Sequence, residues 1–206
     1  MKRFFVALIL SILIASCAKS TPRVLLFIRN GSPDLEYMLK REVGVMKDIL
    51  ERSGFKVDVA TLDGSNLSAG SINLQPDLKL ATVNVAAYAG FIMPCMAAGT
   101  LGGQYISGES CALAKKAISA GKPVAAQLGA VWTLAQAGLL KGKKYAYTEE
   151  QQYPYFAGAT YSGTGVVRDG LILTSGICPY MARERNTNDG TEQLTLALVE
   201  AMKGSK

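Results

Sequence analysis

Short, wholly apolar runs alternate with amphipathic segments after residue 22, and few folds accommodate that alternation. Val24-Leu25-Leu26-Phe27-Ile28 contains no polar residue. A strand there must be covered on both faces, as in the centre of a parallel sheet. Asn30-Gly31-Ser32-Pro33 follows, with Ser32 placed to cap a helix and Pro33 suited to its first position. Leu35, Leu39, Val43, Met46 and Leu50 recur at helical spacing, and Gly54 ends the helix. Residues 55–61 read as a second strand, completing the start of a βαβ unit. Further strands are expected over 88–93, closed by Pro94, and over 124–127 and 144–148. Helices are expected over 109–120, 131–137 and 191–202. A hairpin turning at Asp169-Gly170 is expected over 166–173. Residues 63–87 are less regular, with β-like pieces around Ile72 and Val83. The pattern is that of an α/β protein with a mainly parallel central sheet. No repeat or linker divides residues 23–206, which read as one domain.

The 206 residues include no histidine. No Ser-His-Asp triad, Cys-His dyad or His-ligated zinc can therefore be built from this chain. None of the four cysteines has zinc-site spacing, and nothing in the chain points to a cofactor. Basic residues outnumber acidic ones by 22 to 16 but are scattered. Without a basic stripe interleaved with aromatics, nucleic acid is not an expected partner.

The N-terminus reads as an export signal over residues 1–16. Lys2 and Arg3 precede an almost wholly apolar run from Phe4 to Ile14, followed by small residues. That run is shorter than the roughly 20 residues needed to span a bilayer. Leu13-Ile14-Ala15-Ser16-Cys17 resembles the lipobox of bacterial lipoproteins. The resemblance implies acylation of Cys17, with residues 17–22 as a lipidated tether. It also implies a bacterial cell-envelope location. Ala18, rather than Asp, after the cysteine favours the outer membrane facing the periplasm under enteric-type sorting. The five residues from Ala18 to Pro22 span at most about 18 Å, so the domain should lie close to the membrane.

Three further segments carry a family resemblance. One is 42–57, ending Asp48-Ile49-Leu50-Glu51-Arg52-Ser53-Gly54-Phe55. The second runs from Gly121-Lys122-Pro123-Val124-Ala125-Ala126 through Trp132-Thr133-Leu134-Ala135-Gln136-Ala137-Gly138 to Gly142. The third is Val167-Arg168-Asp169-Gly170-Leu171-Ile172-Leu173-Thr174-Ser175. In this order they resemble the ThiJ/PfpI family of the class I glutamine amidotransferase-like superfamily. The resemblance implies a flavodoxin-like three-layer sandwich and, in some members, a homodimer. It also implies an active site at a sharp strand-to-helix turn whose exposed cysteine is supported by a glutamate, with peptidase, glyoxalase-like, deglycase or chaperone activity.

Carried over by position, the glutamate is retained as Glu42, but the elbow position holds Leu128. Leu128 has no nucleophilic atom. The expected pocket comprises Gln127, Leu128 and Gly129 with Pro94 and Met96 from the facing loop. The family's downstream histidine position falls near Thr148. Cys95, in that loop, is the remaining candidate nucleophile, with Glu42 either opposing its ionisation or accepting its hydrogen bond. A small buried filler is the alternative role. Cys95 and Cys178 are also a candidate disulfide pair, whereas Cys111 reads as a buried small residue. Trp132 reads as core. Tyr145, Tyr147, Tyr153, Tyr155 and Phe156 read as strand and loop surface, or as a lining for the cleft or a dimer contact. These features favour a membrane-anchored, non-catalytic domain that binds a small molecule or protein partner in a degenerate pocket. The alternative is a thiol-dependent hydrolase, glyoxalase-like or redox-sensing protein using Cys95 with Glu42. Replacing Cys17 by Ser should move the protein out of the membrane fraction or leave it uncleaved. Unchanged fractionation would contradict lipid anchoring.

Overall fold

The computed structural model describes residues 20–28, 32, 34–95 and 108–204. Cys17, Pro33 and Met96 lie outside the described residues. A seven-stranded sheet forms the frame. Its strands are β1 (Arg23–Ile28), β2 (Lys56–Thr61), β5 (Leu78–Lys79), β6 (Gly90–Met93), β7 (Val124–Gln127), β10 (Val166–Asp169) and β11 (Ile172–Ser175). They lie in the order β5-β2-β1-β6-β7-β11-β10. All neighbours are parallel except the terminal β10–β11 hairpin, in which Asp169 pairs with Ile172. Two small pairs lie outside this sheet: β3 (Leu67–Ala69) with β4 (Ile72–Leu74), and β8 (Lys144–Tyr145) with β9 (Thr160–Tyr161).

Helices cover both faces. A continuous helical stretch is built from α1 (Leu35–Met38), a π turn (Leu39–Val43) and α2 (Gly44–Arg52). Its α2 portion packs with α6 (Thr191–Lys203), and α6 lies along β6, β7 and β11. On the other face, α3 (Gly108–Ser119) packs with α4 (Val131–Gln136), and both touch β7. This gives a flavodoxin-like three-layer sandwich. The apolar runs become its centre: Val24, Leu25, Leu26, Ile28 and Ile92 have no exposed surface. Each fully buried aliphatic side chain of this kind is worth about 1.5–3 kcal/mol.

A polar clamp lies between the layers. Asp58 on β2 is almost wholly buried, so its carboxylate requires partners. Arg23 supplies Nε at 2.7 Å and a second guanidinium nitrogen, and Tyr88 donates its hydroxyl at 3.0 Å. Burial, followed by the bond to Asp58, pushes the Tyr88 hydroxyl up to about 12.

Several local expectations are corrected. The cap of α1 is Asp34, which accepts from the Tyr37 N–H at 3.4 Å; Ser32 instead accepts from the Asp34 N–H. The expected strand over 144–148 narrows to Lys144–Tyr145, and Val83 follows a 3-10 turn (Leu80–Thr82) rather than forming strand. A short helix, α5 (Pro179–Arg185), was not expected. Its proline at the first helical position was the available signal. Among the described residues no helix is long and apolar enough to cross a membrane.

Gly176 follows β11 where the chain presses against residue 147. A β-carbon there would lie 2.4 Å from the Tyr147 carbonyl oxygen, inside main-chain atoms that have nowhere to move. Gly176→Ala should lower stability by about 1–3 kcal/mol, read as a lower urea midpoint. An unchanged midpoint would show that this approach is not tight.

Candidate functional site

The candidate site lies at the carboxyl edge of the sheet, beside the point where the order reverses around β1. Open α/β sheets place ligands at such crevices because diverging connections leave the strand ends uncovered. Four segments meet there: the π turn after β1, residues 94–95 after β6, residues 128–130 after β7 and residues 176–179 after β11.

The turn after β7 has the elbow conformation without the elbow chemistry. Gln127 is extended, and Leu128 then adopts φ +36°, opening a 3-10 turn (Leu128–Ala130) that runs into α4. A left-handed backbone at a non-glycine residue costs about 1–2 kcal/mol. The Leu128 side chain is 2 % exposed, and burial worth about 1.5–3 kcal/mol offsets that strain. Leucine is thus a stable plug at a position shaped to present a reactive atom.

Glu42 lies in the π turn with no exposed surface. π turns rotate one residue out of the ordinary helical face and recur at functional sites. Glu42 Oε1 accepts from the Cys95 main-chain N–H at 2.9 Å. The carboxylate thereby ties the chain after β1 to the end of β6.

Cys95 and Cys178 are free thiols, both buried, and their side chains are hydrogen-bonded. Cys178 caps α5. The bond from Cys95 holds its thiol below the ordinary value; burial opposes this, while the Met181 and Tyr180 N–H groups assist. Cys95 is driven the other way. Donation to Cys178 comes first, followed by burial and the charges of Cys178 and Glu42; only the Gly129 N–H opposes. The pair is therefore polarised, with Cys178 the sulfur that more readily bears charge.

Neighbouring residues fix this arrangement. Arg183 on α5 stacks over Tyr37 at 4.3 Å from the ring centre and bonds Asp34 at 2.8 Å, holding α5 against α1. Thr174 accepts from the Ala146 N–H at 2.8 Å, and the Gly176 N–H donates to Thr164. These contacts hold residue 147 beside Gly176, and Tyr147 lies near the thiols. Its hydroxyl accepts from Trp132 Nε1 at 3.0 Å. Burial, with the nearby Cys95 and Cys178, pushes the Tyr147 hydroxyl up to about 12 despite that bond.

The site thus unites Cys95, Cys178, Glu42, Leu128 and Gly129, with buried Pro94 adjoining Cys95. Gln127 does not join them. Its side chain points towards α6, donating to the Ile177 carbonyl at 2.7 Å and to Thr191 at 3.4 Å. Cys111 is remote from the pair, half-buried and 3.7 Å from the Thr133 carbonyl. The surface reading of the aromatic stretch holds only for Tyr153 and Tyr155. Tyr145, Tyr147 and Phe156 are core because they pack around Trp132 and one another. Of these aromatics, Tyr147 lies near Cys95 and Cys178, as the cleft-lining alternative allows. No group of metal-ligating side chains occurs among the described residues. An open groove of about 750 Å³ begins at Pro179, lined by Tyr37, Arg41, Arg183, Glu192 and Leu196 among others.

Comparisons with known proteins agree with this fold. The model of the DJ-1/PfpI family matches residues 22–183. The Drosophila melanogaster protein dj-1beta is 31 % identical over 162 residues, covering 73 % of this chain and 79 % of that protein. Its crystal structure superposes with a TM-score of 0.63 at 25 % identity, covering 90 % of this chain and 92 % of that one. A ThiJ/PfpI domain protein from Brachyspira murdochii gives a TM-score of 0.69 at 18 % identity, covering 90 % and 99 %.

Glu42→Ala should destabilise the protein by about 1–3 kcal/mol, because it leaves the buried Cys95 N–H without that acceptor. Glu42→Gln, which keeps an oxygen, should cost less. Equal urea midpoints for the two variants would contradict the proposed tie.

Proposed function

The chain belongs to the DJ-1/PfpI family, and from that premise we propose that it is a lipid-anchored envelope domain that acts by binding rather than by elbow-thiol catalysis. The observation that carries this reading is Leu128, buried at the positive-φ turn. Acyl transfer and glyoxalase-like chemistry at an elbow need an atom that attacks carbon, and an alkyl side chain supplies none. Cys95 does not replace it, because its sulfur is held protonated by Cys178, burial and Glu42. Oxyanion stabilisation by backbone N–H groups is of little use without an attacking group.

The groove that begins at Pro179, outside the cluster of Cys95, Glu42 and Leu128, offers a place for a small polar molecule or a partner segment. Its wall carries both signs of charge, Arg41 and Arg183 together with Asp189 and Glu192. Acylation of Cys17 would hold this groove near the membrane surface, since more than one acyl chain anchors stably where one alone is marginal.

The purified protein should hydrolyse peptide substrates and consume methylglyoxal no faster than buffer alone. Alkylation with iodoacetamide should leave those rates unchanged. Turnover that disappears in Cys95→Ser would overturn the binding reading in favour of a thiol-dependent enzyme.

A further inference from the structure

Two thiols from strands on either side of β7 converge where the turn itself has lost its reactive atom. Cys95 follows β6 and Cys178 follows β11, and these strands flank β7. Both cysteines are free, and their side chains are in hydrogen-bond contact. We propose that Cys95 and Cys178 are a redox pair that a small hydroperoxide converts into an internal disulfide, with Cys178 as the attacking sulfur and Cys95 as the resolving thiol. This role is stoichiometric, one oxidant per chain, and stands independently of the binding reading.

The division of labour follows from the polarised contact. Cys178 receives the Cys95 S–H and faces the Tyr180 and Met181 N–H groups, which stabilise a thiolate. Cys95 keeps its proton until a better electrophile lies beside it. In the first step the Cys178 thiolate attacks one peroxide oxygen. The O–O bond breaks, and the leaving oxygen departs with the electron pair and takes a proton to become water or an alcohol. Cys178 is left as a sulfenic acid, oxidised by two electrons. In the second step the Cys95 sulfur attacks the Cys178 sulfur and the S–O bond breaks. Hydroxide leaves and takes the Cys95 proton, forming water. The sum is two thiols and one hydroperoxide giving one disulfide, one water and one further water or alcohol. An external dithiol reverses the change by exchange.

Burial selects the oxidant. Cys95 is 5 % exposed and Cys178 2 %, so a reactant with two oxygen atoms reaches the sulfur far more readily than a protein disulfide. The resolving thiol in contact also intercepts the sulfenic acid before it climbs to the irreversible sulfinic state.

The test treats the reduced, purified full-length protein with hydrogen peroxide, traps remaining thiols under denaturing conditions and maps the peptides by mass. A Cys95–Cys178 linkage with two hydrogens lost, reversed by dithiothreitol, is expected. Cys178→Ser should slow peroxide consumption by about tenfold or more. Cys95→Ser should leave Cys178 to gain two or three oxygens. Far-UV circular dichroism establishes that the variants fold, and the wild-type linkage itself depends on no variant. The proposal is overturned by wild-type thiols that stay unmodified, by a linkage that uses Cys111, by Cys178 sulfinate formed without disulfide, or by unchanged peroxide consumption in Cys178→Ser.

Discussion

The turn that ends β7 holds a non-glycine residue in left-handed backbone, and the carboxyl edge of the sheet is organised around it. At φ +36° Leu128 reverses the chain from the extended Gln127 into the turn leading to α4 within a single residue. That reversal aims the Gly129 N–H at the sulfur of Cys95, which follows β6, while Cys178 follows β11 on the other side of β7. Residues in such conformations persist only where the surroundings over-determine them. Here Trp132, one turn further on, is locked by Phe156 and by its bond to Tyr147. A turn whose backbone could expose a reactive side chain holds a leucine instead, and apolar burial offsets its strain.

The flanking walls are polar where the turn is apolar. Glu42 bonds the Cys95 main chain, Cys95 bonds Cys178, and Cys178 caps the helix that Arg183 holds against Tyr37 and Asp34. The chain of contacts therefore crosses three connections that share no sequence proximity. Each link has a partner because an uncompensated polar group at this depth would cost several times what a hydrogen bond contributes. The two sulfurs end up unequal for the same reason. Cys95 donates across a buried contact, and the backbone N–H groups at the start of α5 favour ionisation of Cys178 over that of Cys95.

Much of this was legible from the chain. The wholly apolar run from Val24 to Ile28 announced a strand covered on both faces, and the spacing from Leu35 to Leu50 announced the helix that follows. Leu128 could be placed at the elbow because Trp132 and Gly138 fix the register around it. What periodicity could not reveal was geometry carried by single residues. The π turn at Glu42 leaves the apolar spacing almost intact, so it was invisible. The burial of Tyr145 and Phe156 depends on Trp132 reaching them across the fold. The bias between Cys95 and Cys178, more than 80 positions apart in sequence, arises only when β6 and β11 end on either side of β7.

The account's central claim is that the two thiols beside the Leu128 turn form an unequal pair. Following thiolate ultraviolet absorbance against pH tests this most directly, in the wild type and in Cys95→Ala. One thiolate should form below the ordinary thiol value of about 8.5 in the wild type, and its midpoint should rise when the Cys95 donor is removed. If no thiolate forms below that value, or if the midpoint is the same in both proteins, the two sulfurs are not the polarised pair described here.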